Sequence, residues 1–568
     1  MNVIGLNSGE ISSSAALVQN GKLVAAAQEE RFNREKKSRL FPLESLRYCL
    51  EYAGLEMKDV DYIAQAWNPG AMWTKYNPIL SKHRIKREDY FYSIPDNLMN
   101  MAPRNPKDWV KMSFPRESQL PPVYYVQHHR THASNGFLLS PFKDAAILTC
   151  DWKGELESMT MSLGHDNSIK TLNTQHMPNS LGLFYATFTE YLGYRPDNDE
   201  WKVMALSAFD VDCDDFAERI RSTFKLTDNG TLQLDQSYYN GACLEEPKLY
   251  TAKFIELFGG NEGIKDAEPD NWYYKVAKAM QQVSEEIVVH MGTYLYEQTK
   301  CENLVLGGGF FMNSVFNGKA QKLLPFKNVY ISHSPSDGGN SIGAALYVAN
   351  CILKQPRYYG FNSSYLGPKF NDKQIEEVLN RRAIRFEKLN NPAKKTAEMV
   401  AQGEIVAFFN DRMEFGERAL GNRSILGDPT NPNIKQKINS LIKYREGYRP
   451  FAPAILHECA SEYFEVPKGY ECHYMEKVVP VKTKYHKKLP AITHVDGSGR
   501  LQTVKKEYNP EFYELISEFE KLSGFPIVVN TSFNINGEPI VLSPDDALNT
   551  FYNSGLKYLV LGRYLIMK

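Results

Sequence analysis

The sequence predicts an α/β protein of two domains. Three observations carry the expectation: a strand, turn, strand, turn, strand order at the start of the chain, its recurrence from Ala145, and alternating helical and strand periods beyond. With 568 residues the chain has room for about two to four separate cores.

The first strand is Asn2 to Leu6, followed by a Ser/Gly turn. Ala15 to Val18 is the second, Asn20-Gly21 the hairpin pair, and Leu23 to Ala25 the third. From Ala145 the order repeats: Ala146 to Leu148, a polar turn through Asp151 and Gly154, the alternating run Met159 to Leu163, then Ile169 to Leu172. This repetition predicts an internal duplication whose two polar turns share a cleft suited to a nucleotide. Lys275 to Thr299 has helical spacing, Asn303 to Leu306 is a short strand, and Gly307-Gly308-Gly309 opens into a further helix. The strand Val329 to Ile331, the turn Ser336 to Gly339 and a helix through Ala344 and Ala345 follow. Gln355 to Lys369, rich in Pro, Gly, Tyr and Asn, has neither period and reads as a linker, which gives domains over residues 1–355 and 366–568. Beyond it a helix near Pro392 to Gln402, a strand Ile405 to Phe409, an arginine-rich loop and a helix Asn433 to Tyr444 are expected. A last apolar strand, Pro526 to Val529, runs into Asn530-Thr531-Ser532.

Hydrophobic residues make up 43% and charged residues 23%, the values of a folded chain and not of a disordered or collagen-like one. Sixty-six Lys and Arg against 67 Asp and Glu leave a formal charge of -1, which disfavours nucleic acid or an acidic lipid surface as a partner. No apolar run approaches the roughly 18 residues of a membrane span. The N-terminus enters a strand at once, so a cytoplasmic protein without a signal peptide is expected. The eight cysteines are dispersed, with no Cys-x-x-Cys pair, and read as reduced thiols.

Two constellations carry chemistry. His128 and His132 lie four apart, so on a helix both imidazoles share a face and can ligate one metal ion. Asp151 and Asp337, each in a turn after a strand, complete the set. Gly307-Gly308-Gly309 lets the backbone approach a phosphate or adenosine closely, and Asn313 adds a donor and an acceptor one turn later. This run matches neither the dinucleotide fingerprint nor the Walker pattern. The second constellation runs through Arg412, Glu414, Gly416, Arg418, Gly421, Arg423 and Ser424, followed by Lys443, Arg445 and Arg449. Guanidinium forks and a mobile ammonium suit phosphorylated ligands, and the interleaved glycines suggest backbone close to one. The competing reading is a solvated basic face. His494, Asp496, Arg500 and Gln502 form another polar cluster, and Asn530-Thr531-Ser532-Phe533-Asn534 offers hydroxyls and amides at a strand exit, as a ligand edge or as a simple helix cap or turn.

With these residues in view, the chain resembles the nodulation-protein U and cephamycin/tobramycin type of carbamoyltransferase over nearly its full length. The resemblance rests on Glu29-Glu30-Arg31-Phe32, Ser180-Leu181-Gly182-Leu183, Glu190-Tyr191-Leu192-Gly193, Lys202-Val203-Met204, the Arg412 to Leu426 run, Arg449-Pro450-Phe451-Ala452-Pro453 and Asn530 to Asn534, in that order. It implies an actin-like (ASKHA-type) duplicated front domain followed by a YrdC-like α/β rear domain. It further implies that carbamoyl phosphate and ATP, with Mg2+, yield carbamoyl adenylate, phosphate and pyrophosphate in the rear domain. Lys443, Arg449, Arg418 and Ser532 match the family's catalytic positions there, and Arg423, Asn530, Thr531 and His494 fall among the substrate-binding ones. The adenylate then passes internally to the front domain, where His128, His132 and Asp337, with Asp151 close by, match the positions that hold Fe2+ or another divalent metal. Gly308, Gly309, Asn313 and Lys202 match nucleotide-binding positions.

The expected product is a carbamoylated hydroxyl on a small natural-product acceptor, such as a sugar or polyketide-like scaffold of antibiotic biosynthesis. A nucleotide is the second small-molecule partner, and the reading admits a homodimer. One departure concerns the acceptor side: where family members carry a His-Asp pair, this chain reads Ile11-Ser12-Ser13-Ser14-Ala15. Ile11 takes no proton, so Glu10, a metal-bound group or a more nucleophilic amine acceptor must substitute. Trp152 and Lys153 also replace smaller family residues. The alternatives are therefore carbamoyl transfer to a nitrogen or to a nucleic acid, or a nucleotide-binding protein whose transfer chemistry has decayed.

Overall fold

The computed structural model describes residues 1–9, 11–69, 106–115, 119–241, 247–265, 267–444, 447–448 and 451–568. The chain divides into two compact units. The first takes Met1–Glu29 and Arg39–Asn362, the second Glu30–Ser38 and Ser363–Lys568.

The first unit is built on two five-stranded sheets with one topology. In the first, β1 (Asn2–Asn7), β2 (Ser14–Gln19), β3 (Lys22–Gln28), β4 (Tyr62–Gln65) and β5 (Val123–Tyr125) lie in the order β3-β2-β1-β4-β5. The first three run antiparallel, while β4 and β5 join parallel to β1. In the second, β6 (Asp144–Cys150), β7 (Glu157–His165) and β8 (Ser168–His176) repeat the antiparallel start. Beyond a small hairpin of β9 (Phe224–Leu226) and β10 (Leu232–Leu234), β11 (Asn303–Gly307) and β12 (Asn328–Ile331) complete the order β12-β11-β6-β7-β8, with β11 parallel to both neighbours. Two copies of one strand order make the duplicated actin-like layout. Strands β1 and β6 sit third in their sheets and are buried on both faces, which is why each reads as an apolar run and not as an alternation.

Helices cover these sheets. Helix α1 (Leu43–Ala53) turns Leu46, Cys49 and Leu50 onto Ile4, Leu6, Ala15 and Leu17, and stops at Gly54 in the left-handed conformation, φ 65°. Helix α2 (His128–Leu139) and helix α3 (Asn340–Leu346) pack on one another at glycine-sized distance. A Cβ on Gly343 of α3 would meet the Thr131 carbonyl oxygen of α2 at 2.0 Å, and one on Gly5 of β1 would meet the Ser341 oxygen of α3 at 1.8 Å. Helix α3 is thereby locked between the two repeats.

The second unit carries a nine-stranded mixed sheet. Its strands are β13 (Glu387–Lys388), β14 (Val406–Phe409), β15 (Arg423–Gly427), β16 (Ala452–Leu456), β17 (Lys477–Pro480), β18 (Ser498–Val504), β19 (Ile527–Ser532), β20 (Tyr558–Leu561) and β21 (Tyr564–Met567), ordered β13-β21-β20-β14-β15-β19-β16-β18-β17. One face gathers Val406, Leu426, Ala454 and Val528 under helices α4 (Pro392–Ala401) and α6 (Pro510–Ser523). The other gathers Ala407, Ile425, Ile455 and Val529 under α5 (Ile434–Ile438) and α7 (Pro544–Tyr552). This is the α/β rear half that the resemblance implies. Among the described residues no helix is long and apolar enough to cross a membrane, and the seven described cysteines are free thiols. Cys243 lies outside them.

Two sequence expectations need correction. The glycine run leads into a single 3-10 turn, Gly309–Met312, before the α-helix Ser314–Leu323 begins, because Asn313 caps that helix. The helix expected over Asn433 to Tyr444 is α-helical only over α5 and then widens into a π-helical turn, Asn439–Lys443, ended by Tyr444 at φ 44°. Such turns change the direction in which a terminal side chain leaves the helix, and Lys443 is that side chain.

Candidate metal centre and anion pocket

In the first unit the four expected donors meet. His128 Nε2 and His132 Nε2 are 3.0 Å apart, Asp151 Oδ2 lies 3.1 and 2.7 Å from them, and Asp337 Oδ1 3.4 and 3.3 Å. All four donor atoms fall within 4.8 Å of one another. The helical period of α2 stacks the two imidazoles, β6 delivers Asp151 at its exit, and Asp337 opens a turn before α3. Burial opposes charge on His128, yet the Asp337 and Asp151 carboxylates outweigh it and hold its pKa well above the usual imidazole value. His132 is also raised: burial and His128 pull it down, and the same two carboxylates override them. Burial likewise works against the Asp151 anion, but hydrogen bonds from both histidines hold its carboxyl well below the usual range. A half-buried pair of carboxylates facing a buried pair of imidazoles needs positive charge, from protons or from a cation.

The supporting residues suit a cation. His132 Nδ1 lies 3.1 Å from the Pro335 carbonyl oxygen, to which it donates, so the Nε2 lone pair is aimed inward. Two imidazole nitrogens with two carboxylate oxygens suit a borderline divalent ion of the first transition row. Glu155 is a member that the sequence did not reveal: its carboxylate accepts from the His128 backbone N–H at 3.0 Å and from that of Asn68 at 2.6 Å, capping α2 in place of Gln127. Ser180, in the Ser180-Leu181-Gly182-Leu183 motif, donates to the Asp151 or Trp152 carbonyl, at 3.0 and 2.6 Å. A Cβ on Gly182 would meet the Trp152 nitrogen at 2.5 Å. That motif therefore braces the turn that presents Asp151.

The glycine run serves the same centre. A Cβ on Gly308, at φ 98°, would meet the Cys150 oxygen at 2.2 Å, and one on Gly309 would meet Asp151 Oδ1 at 2.8 Å. Asn313 exchanges amide hydrogen bonds with Gln281 at 2.9 and 3.2 Å and accepts from Phe316 N, so both ends of its side chain are engaged within the protein. Lys202 lies 3.5 Å from Asp199 and 5.5 Å from the Tyr194 and Trp201 ring centres. The two repeats converge as their topology requires: Asn7, at the end of β1, donates to the Asp337 carbonyl oxygen at 3.0 Å, and Ser14 to that of Gly338 at 2.8 Å. Ile11 lies at this first turn; Glu10 is outside the described residues.

In the second unit the centre of the basic constellation is Lys443. It is buried, and its ammonium reaches the Ser532 carbonyl and hydroxyl oxygens at 2.5 and 3.2 Å and the Asn534 carbonyl and amide oxygens at 2.9 and 2.7 Å. On β19, strand alternation sets Asn530 and Ser532 on one face and Thr531 on the other. Asn530 donates to the Ala419 carbonyl at 3.2 Å and to Gln502 at 2.8 Å, while its own buried oxygen has no hydrogen-bond partner among the described residues. Arg418, next to Ala419, has no hydrogen-bond acceptor among the described residues; burial lowers its pKa against the pull of Glu417. Arg418 thus precedes, in the chain, the Ala419 carbonyl that Asn530 bonds, while Lys443 reaches the exit of the same strand at Ser532.

Other members of the constellation turn elsewhere. Arg423 is fully buried, its Nη1 donating to the Asn410 carbonyl at 2.5 Å and that of Asn422 at 2.8 Å, with the guanidinium 3.6 Å from the Phe409 ring centre. Its charge braces the loop from inside. Gly421, at φ 115°, would drive a Cβ to 2.3 Å from the Phe512 ring, so packing and not a ligand accounts for that glycine. Glu414, unremarked as a buried group in the sequence, accepts from the backbone N–H of Leu420, Asn422 and Arg423 at 2.7, 2.8 and 3.2 Å. His494 bonds the Tyr448 carbonyl at 3.1 Å and lies 3.6 Å from Asp496. Arg445 and Arg449 lie outside the described residues.

The family model of the carbamoyltransferase N-terminus matches residues 3–346, and that of the carbamoyltransferase C-terminus residues 397–568. An uncharacterized protein of Synechocystis sp. is 34% identical over all of this chain and 96% of its own length. Nodulation protein NolNO of Sinorhizobium fredii is 35% identical over 98% of this chain and 78% of its own. The 3'-hydroxymethylcephem-O-carbamoyltransferase of Amycolatopsis lactamdurans is 27% identical over 77% of this chain and 79% of its own. With both family models matched, one over each half, and with its His-Asp cluster and basic strand exit lying inside those spans, the chain belongs to the carbamoyltransferase family.

Proposed function

We propose that this carbamoyltransferase makes carbamoyl adenylate from carbamoyl phosphate and ATP in its second unit and delivers the carbamoyl group to a hydroxyl of a small natural-product acceptor at the His-Asp cluster of its first. The observation that carries the reading is the meeting of His128, His132, Asp151 and Asp337 within 4.8 Å, in a chain whose second unit buries Lys443 and half-buries Arg418. The hydroxyl acceptor is supported by the name of the Amycolatopsis relative, an O-carbamoyltransferase.

Forming the adenylate requires two polyanions to approach. Lys443 and Arg418 supply positive charge for that encounter, and in a recessed site their fields are less screened than in water. Ser532 and Asn534 hold the Lys443 ammonium at the strand exit, where an incoming phosphoryl oxygen displaces one of these acceptors. The buried Asn530 amide oxygen, without a partner among the described residues, supports a role as acceptor for a ligand N–H, such as a carbamoyl amide or an adenine amino group.

At the cluster, a divalent ion such as Fe2+ held by the four donors would supply Lewis acidity toward a carbamoyl carbonyl. Pro335 keeps the His132 ring oriented for that role, and Glu155 caps the helix that carries His128. Ile11 supports a second reading, a nitrogen acceptor, since an amine needs less help from a base than a hydroxyl.

The test is direct. Purified, metal-loaded protein given carbamoyl phosphate and ATP is expected to release pyrophosphate, and with acceptor to add one carbamoyl mass to it. No pyrophosphate from folded, metal-loaded protein overturns the reading; a mass gain on amines but not on alcohols selects the second.

A further inference from the structure

The Glu29-Glu30-Arg31-Phe32 motif has no part in either site above, yet its chain position and its packing disagree. Glu29 stays in the first unit, where its carboxylate accepts from Ser45 N at 2.9 Å at the start of α1. From Glu30 to Ser38 the chain belongs to the second unit. There Arg31, only 4% exposed, donates from Nη2 to the Gly416 carbonyl at 2.8 Å and pairs through Nη1 with Glu30 at 2.9 Å. Glu30 in turn accepts from Lys37 N at 2.7 Å, closing the excursion on itself. Phe32 packs against Met413, Ala419, Ile540 and Leu542. Arg34 anchors the far end on the Ile540 and Pro539 carbonyls at 2.7 and 2.9 Å.

The loop this excursion grips carries Arg418. Gly416 stands at φ 112° in a loop outside every strand, so its buried carbonyl has no ladder partner and needs a donor from elsewhere. Two anchors fix the loop: Glu414 collects the N–H groups of Leu420, Asn422 and Arg423 on one side, and Arg31 takes the Gly416 carbonyl on the other. Arg418 lies between them and makes no hydrogen bond to a described residue. A guanidinium kept clear of acceptors keeps its donors for an anion only while the backbone under it is fixed. We infer that Arg31, from the front of the chain, is a positioning residue that presents Arg418 to a phosphate-bearing ligand by holding the Gly416 carbonyl. The inference rests on the proposed anion pocket.

Calorimetric binding of ATP and of inorganic pyrophosphate to the full-length protein tests it without requiring turnover. Arg31→Ala is expected to raise both Kd values about tenfold or more, and Arg31→Lys to raise them less. In an Arg418→Ala background, Arg31→Ala should add nothing further, since its effect passes through Arg418. Arg34→Ala, which cuts comparable bonds at the other end of the excursion, should lower Tm and leave both Kd values in place. Unchanged binding in Arg31→Ala, losses that add in the double variant, or an equal loss in Arg34→Ala overturns the inference. Wild-type protein that binds neither ligand overturns it together with the anion pocket. The expected binding pattern without pyrophosphate release from carbamoyl phosphate and ATP upholds it and overturns the proposed reaction alone.

Discussion

At the scale of single residues, charge is held by groups distant in sequence. Glu155 lies 27 residues from the His128 N–H it accepts from. Replacing it by Ala leaves the buried His128 N–H and the half-buried Asn68 N–H without this acceptor, for an expected stability loss of about 1–3 kcal/mol in a urea titration. If the four donors hold a metal, the same variant should bind it about tenfold more weakly, read as metal content after dialysis. His333 gives a pH signature. Burial alone lowers its imidazole pKa from the ordinary 6.5 to about 4. Between those values the unfolded chain binds the proton and the folded one does not, so stability falls as pH drops from 6.5 and levels off below 4. The full effect is about 3 kcal/mol, and His333→Gln should remove it; a variant whose urea midpoint follows wild type through that window contradicts the assignment. The sequence revealed His128 and His132 because their spacing is local, whereas the Pro335 contact with the His132 ring and the Glu155 contact with the His128 backbone depend on folding and leave no local pattern.

At the scale of elements, the repeat was legible and its fine geometry was not. Alternation in Met159 to Leu163 and the apolar run at Ala146 to Leu148 report strand periods directly. Nothing in residues 433–444 signals that the helix widens at Asn439, since π turns arise from tertiary packing more than from propensity. Nor does the glycine pattern announce which backbone each glycine admits. Gly421 answers Phe512, and Gly343 answers Thr131. Helix α3 follows the Asp337 turn and is fitted between β1 and α2 with no room for a methyl group, so Gly343→Ala must push it outward. The expected outcome is a stability loss of about 1–3 kcal/mol and, if the four donors hold a metal, weaker retention of it. Wild-type Tm and metal content in this variant would show that the donors do not depend on this fit.

At the scale of the whole molecule, the sequence reads residues 355–369 as a linker, and along the chain the boundary of the two compact units falls between Asn362 and Ser363. The nine-residue excursion Glu30–Ser38 escaped notice because its membership is decided by contacts such as Arg31 to Gly416, 385 residues apart. The proposed division of labour assigns one partial reaction to each unit, so substitutions should separate them. Lys443→Ala removes the ammonium beside Ser532 and Asn534, and His132→Ala removes one donor of the cluster.

The most direct measurement follows pyrophosphate release and the carbamoyl mass gain of an acceptor, side by side, in these two variants and wild type. The division predicts that Lys443→Ala loses both, and that His132→Ala keeps pyrophosphate release while losing the mass gain. Equal loss of both steps in a folded His132→Ala protein, or pyrophosphate release that survives in Lys443→Ala, would contradict it.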